Sequence, residues 1–201
     1  MKLLEQINPR IKKILGQAVY SGMKSGLYEI STNKIFSVGI GIDIKKRVIN
    51  ANVNYALQNE ILAAKDSTIT VKTDEHSSGH MLRITYDRFI IYPKRVDYID
   101  QEWDDEACYH KKLMEHNPTH QGELFDVYDS DNPVFVQLLF GKEKVLFGKE
   151  KFFAVLRIPN SYEGVYEEEK LELPSADSRI PEEKVRKPKD LSIRYEKVSG
   201  H

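Results

Sequence analysis

Five of the six histidines, at 76, 80, 110, 116 and 120, fall in one stretch of the chain. His76/His80 and His116/His120 each enclose three residues, and Cys108 lies near His110. Imidazole and thiolate nitrogen and sulfur are good zinc ligands, so a metal site built from His76, His80, His116 and His120 is the first chemistry to consider. The surrounding residues argue for surface histidines on two turns instead. Gly79 sits inside the first pair, and Pro118 keeps His116 and His120 off a regular helical face. No His-Glu-x-x-His occurs, so the sequence gives no cofactor.

Carboxylates are the second source of chemistry. Asp97, Asp100, Asp104, Asp105, Asp126, Asp129 and Asp131 would serve a metal-dependent hydrolase or nuclease, binding the ion that activates water. Such a site places an acidic residue beside a lysine on a central strand. The two most apolar β-type runs, 134–140 and 152–158, contain no carboxylate. Cys108 and His110 are two apart on a helical pattern and point different ways, and no Gly-x-Ser-x-Gly follows any strand. Gly39-x-Gly41 lacks the third glycine of a dinucleotide fingerprint and the Lys-Ser/Thr of a P-loop.

The elements that would position these residues follow from periodicity. The chain has 201 residues, 40% hydrophobic and 30% charged, enough for one globular domain with an appendage. Asn8-Pro9 marks a helix start, and Ile11, Ile14, Leu15, Ala18, Val19 and Met23 form one stripe, which predicts a helix over 9–25. Gly16, Gly22 and Gly26 weaken that helix; the Ser-Gly pairs at 21–22 and 25–26, four residues apart, would permit close backbone packing but read rather as its frayed end. Phe36, Val38, Ile40, Ile42 and Ile44 alternate with small or polar residues, which predicts a strand. Ile49, Val53, Leu57, Ile61 and Ala64 share a helical face over 49–64, with Asn50, Asn52, Asn54 and Asn59 around it as a solvated surface.

Residues 68–93 read as a β-meander with a turn at Asp87-Arg88, and Trp103, Ala107, His110 and Met114 predict a helix over 103–116. Phe125 and Val127 suggest a short strand, and Leu171 and Leu173 an edge strand after Glu167, Glu168 and Glu169. The expected fold is α+β: a largely antiparallel β-sheet flanked by about three helices, with a C-terminal extended arm. Residues 1–173 form the domain and the proline-punctuated 174–201 the arm.

Charge separates along the chain. Residues 1–96 carry a net +7 and residues 97–131 a net −9, within an overall −1. The simplest reading is that the acidic stretch faces the basic one, within a monomer or across a dimer. Nucleic-acid binding by Lys12, Lys13, Lys45, Lys46, Arg47, Lys94 and Arg95 is the alternative. One cysteine excludes an intramolecular disulfide, and no apolar run reaches a membrane span, so the expected place is the cytoplasm, with no membrane partner. The 21 lysines and 18 isoleucines against 9 arginines match the usage of an AT-rich bacterial or phage genome.

Leu139-Phe-Gly-Lys-Glu-Lys144 recurs as Leu146-Phe-Gly-Lys-Glu-Lys151, which suits a hairpin with a long charged tip. Within the arm, Leu191, Ile193 and Tyr195 alternate with polar residues like a strand available for pairing. These patterns predict a non-enzymatic interaction or regulatory protein, of the accessory or defence kind. It would meet a protein partner or form a homo-oligomer through Lys142, Glu143, Lys144, Lys149, Glu150, Lys151, Leu191, Ile193 and Tyr195.

Overall fold

A computed structural model describes residues 2–37, 39–76, 79–99, 108–115, 117–118, 132–144, 150–160 and 164–174. Helix α1 (Pro9–Thr32) starts as its sequence dictates: the Asn8 side chain accepts the Arg10 N–H and Pro9 takes the first helical position. It continues well past residue 25, because the glycines are packing positions and not a frayed end. A β-carbon on Gly22 would stand 2.5 Å from the Val53 Cα, and one on Gly26 3.0 Å from the Ile49 Cα. Both contacts are to main chain of α2 (Ile40–Ala64), which runs antiparallel to α1. Two glycines four apart let the helix backbones touch.

The strand expected over 36–44 does not form. Lys34–Ser37 is a 3-10 turn, and Ile40, Ile42 and Ile44 begin α2. Gly39 takes φ +40° at the helix start, and Gly41 presses on the Ile35 carbonyl, so these glycines make a tight helix–helix corner.

Six strands form one sheet in sequence order: β1 (Ile69–His76), β2 (Gly79–Tyr86), β3 (Phe89–Arg95), β4 (Val134–Lys144), β5 (Glu150–Pro159) and β6 (Val165–Lys170). All neighbours are antiparallel except β3 and β4, which run parallel and are joined by the crossover that carries α3 (Cys108–Met114). The meander expected over 68–93 is present, with Asp87 at φ +51° in its two-residue turn. The long apolar runs are the central strands β4 and β5, as their hydrophobicity requires.

One face of the sheet meets both long helices. Ile84, Phe89, Ile91, Val136, Leu138, Phe140, Leu156 and Ile158 pack there against Ile11, Leu15, Val19, Val53 and Leu57. The other face carries a smaller cluster of Val96, Leu139, Phe153 and Val155. It also bears a polar row in register across four strands, Tyr92, Gln137, Arg157 and Glu168. Arg157 is buried, holds Glu168 at 2.7 Å and donates to the Ile99 carbonyl. The Nε2 of Gln137 is buried with no hydrogen-bond partner among the described residues.

The edge strand was expected at Leu171 and Leu173; it is instead the glutamate run itself, Val165–Lys170. Each glutamate is held. Glu167 accepts the N–H groups of Leu3 and Leu4, Glu168 pairs with Arg157, and Glu169 takes Lys12 at 2.7 Å. Charge on an edge strand also blocks unwanted pairing. Glu167→Gln is expected to cost about 1 kcal/mol, since charge-assisted bonds to two N–H groups weaken to ordinary ones. A lower urea midpoint and faster proteolysis before Asn8 are the readouts.

Candidate functional site

The charged hairpin and the segment leading into the arm meet at one place. Beyond β6, Leu171 N–H donates to the Ala154 carbonyl, so the chain stays on β5 for another residue. It then crosses α1 at Gly16, where a β-carbon would stand 2.5 Å from the Glu172 carbonyl oxygen. Only a residue without a side chain lets the 171–174 segment lie this close to the helix.

The result is an open groove of about 840 Å³ between α1, the last paired residues at the loop end of the β4–β5 hairpin and residues 170–174. Tyr20, Phe152, Leu171 and Leu173 give it apolar walls, and the Tyr20 and Phe152 rings meet edge-on with centroids 5.8 Å apart. Glu143, Lys151, Lys170 and Glu172 add charges of both signs at its rim, the first three at strand positions on the Phe153 side of the sheet and so across the edge from Tyr20 and Phe152. Glu143 and Lys151 face each other across the β4–β5 ladder. Apolar walls with a few charges fit an extended polypeptide that offers both kinds of side chain.

Of the residues expected to bind a partner, Glu143 and Lys151 line this groove and Lys142 stands beside them on β4. Lys144 and Glu150 end the two strands and pair in register. Lys149, Leu191, Ile193 and Tyr195 lie outside the described residues. The groove walls were the part that sequence reading missed. Leu171 and Leu173 were visible as an apolar pair, but nothing in the linear pattern joins them to Tyr20.

The cations considered for nucleic acid are divided between two ends of the helical hairpin. Lys12 gives its ammonium to Glu169, and Lys13 lines a shallow pocket with Arg10, Gln17 and Glu60. Lys45, Lys46 and Arg47 lie about 25 Å away along the helices, at 1.5 Å per residue. There Asp97 takes Lys46 at 2.7 Å and Arg95 at 3.1 Å. The hydrogen bond from Lys46, with Arg95 beside it, holds the Asp97 carboxyl below its ordinary range. The first acidic residue after position 96 therefore does face the basic half. Lys94 is on β3, between Pro93 and Arg95.

Of the four histidines considered as ligands, His76 and His80 lie on described strands. His76 is in register with Gly79 and His80 with Glu75, so the two are not cross-strand partners. His80 is exposed, 3.6 Å from Glu75. His116 and His120 lie outside the described residues, as do the aspartates from 100 to 131 and the 125–127 strand. Among the described residues no three His, Cys, Asp or Glu side chains are placed to hold a metal. Among the described residues, Tyr92 has a strongly altered acidity. Burial, then the hydrogen bond that the Tyr92 hydroxyl donates to the Asp74 carboxylate at 2.6 Å, push it far above the ordinary phenol range.

Comparison with protein-family models, curated proteins and solved structures finds no match to this chain. No helix among the described residues is long and apolar enough to cross a membrane.

Proposed function

We propose that this is a non-enzymatic interaction protein that receives an extended segment of a partner polypeptide in the groove beside Tyr20 and Phe152. The observation that supports this reading is the groove itself: apolar walls, charges of both signs, and a position at the loop end of the hairpin, beside residues 171–174. Aromatic and aliphatic walls supply affinity, while Glu143, Lys151, Lys170 and Glu172 select for charge pattern.

Site-specific photo-cross-linking in cells of the source tests this. A photoreactive residue replacing Lys151 is expected to trap a discrete polypeptide, and the same residue replacing the exposed Lys72 is not. Adding Leu173→Asp is expected to reduce the Lys151 adduct at least about tenfold, as loss of an apolar anchor should. No adduct at position 151, or equal adducts at 151 and 72, would overturn the reading.

A further inference from the structure

Helix α2 is apolar on two opposite sides. Ile49, Val53, Leu57 and Ile61 are buried against α1 and the sheet. Half a helical turn away, Ile44, Val48, Ala51, Tyr55, Gln58 and Leu62 recur at alternating intervals of four and three. That spacing is a two-helix seam, and five of its six members are apolar. Tyr55 is 68% and Leu62 61% exposed, and Ala51 and Gln58 are exposed as well. The same spacing on α1, Lys13, Gln17, Tyr20, Lys24, Leu27 and Ser31, is polar at four of its six positions, with Tyr28 exposed beside it, so the continuous apolar repeat is that of α2.

We propose that two copies of this chain associate through this seam, with their α2 helices antiparallel about a two-fold axis beside Val53. The residues themselves choose the second copy as occupant. Their numbers are symmetric about the helix centre, so an antiparallel copy sets Ile44 against Leu62, Val48 against Gln58 and Ala51 against Tyr55. The largest side chain of the seam meets the smallest. A parallel copy would stack tyrosine on tyrosine and leave a gap at alanine.

Charge selects the same direction. In a parallel pair Lys45 and Arg47 of both copies would crowd into one turn. In the antiparallel pair the Lys45 positions stand about 24 Å apart along the axis, and Asn52 and Asn54, which flank the seam, meet their own equivalents near the centre. The seam is about 27 Å long, which places the contact at the small end of specific interfaces and predicts a reversible dimer. This surface lies on α2, away from the groove, and stands independently of the function proposed for it.

Sedimentation velocity on the full chain is the test. The mass is expected to climb from monomer toward dimer between roughly 1 and 100 µM. Tyr55→Asp with Leu62→Asp is expected to stay monomeric throughout, with an unchanged circular dichroism spectrum because both side chains are exposed. Gln58→Leu, which exchanges the one polar seam residue for an apolar one, is expected to tighten the dimer about tenfold. Asn59→Glu reports direction: its carboxylate faces Lys45 of an antiparallel second copy and strengthens the dimer at low salt, whereas a parallel pair gains nothing. A monomer at every concentration, a dimer indifferent to the double variant, or weakening by Gln58→Leu would each overturn the proposal. An Asn59→Glu dimer no tighter than the parent would overturn the antiparallel arrangement.

Discussion

Asn117→Ala is expected to destabilise the protein by about 3–4 kcal/mol, lowering the thermal midpoint by about 10 °C, because one buried amide here completes the sheet. The β4–β5 ladder ends at Gln137 and Arg157, and its register carried two residues further sets Phe135 against Pro159. Proline has no N–H to give, so the Phe135 carbonyl lacks its ladder donor. The Asn117 side chain fills the place. Its Nδ2 donates to the Phe135 carbonyl at 3.1 Å and to the Pro159 carbonyl at 2.8 Å, and its Oδ1 accepts the Phe135 N–H at 2.8 Å. Alanine removes all three of these buried bonds to main chain at once. Asn117→Asp makes the sharper comparison. A buried carboxylate beside two carbonyls has its pKa raised in the folded state, so this variant is expected to regain stability as pH falls through that pKa. A midpoint within 2 °C of the parent for Asn117→Ala would show that the amide is not the clamp.

The second large effect reverses a familiar sign. Glycine to alanine inside a helix normally gains about 1 kcal/mol. At Gly22 the new β-carbon would lie 2.5 Å from the Val53 Cα, 2.8 Å from its nitrogen and 2.8 Å from the Asn52 oxygen, all of them main-chain atoms that no rotamer change can move. The two helices must separate, which loosens Val19, Met23 and Ile49 as well. Gly22→Ala is therefore expected to lose about 2–3 kcal/mol, read as a lower urea midpoint at unchanged slope. Ser25→Ala, exposed on the same helix, is expected to be neutral or slightly stabilising. Stabilisation by Gly22→Ala would contradict the close approach.

These two positions also show where the sequence was readable. The strands of the meander and the two apolar central strands were legible because period-two patterns and turn residues are local. The start of α2 was not. Its isoleucines at 40, 42 and 44 alternate because the helix is apolar on opposite sides, and residues two apart on a helix fall 200° apart, which copies a strand's alternation. The glycines of α1 were misleading for a related reason: propensity sees their cost and not the helix that needs them. The parallel joint between β3 and β4 and the amide of Asn117 depend on segments far apart in sequence. The groove likewise draws Tyr20 and Leu173 from opposite ends of the domain.

The parallel joint carries a consequence for how the molecule assembles. Each side of it is a three-stranded unit with short connections, able to nucleate from neighbours in the chain. Bringing β4 onto β3 requires closing the whole crossover first, so its entropic cost falls on a single docking event. The domain is thus expected to mature as two halves, with the line between Ile91 and Val136 the last to zip and, under stress, the first to part.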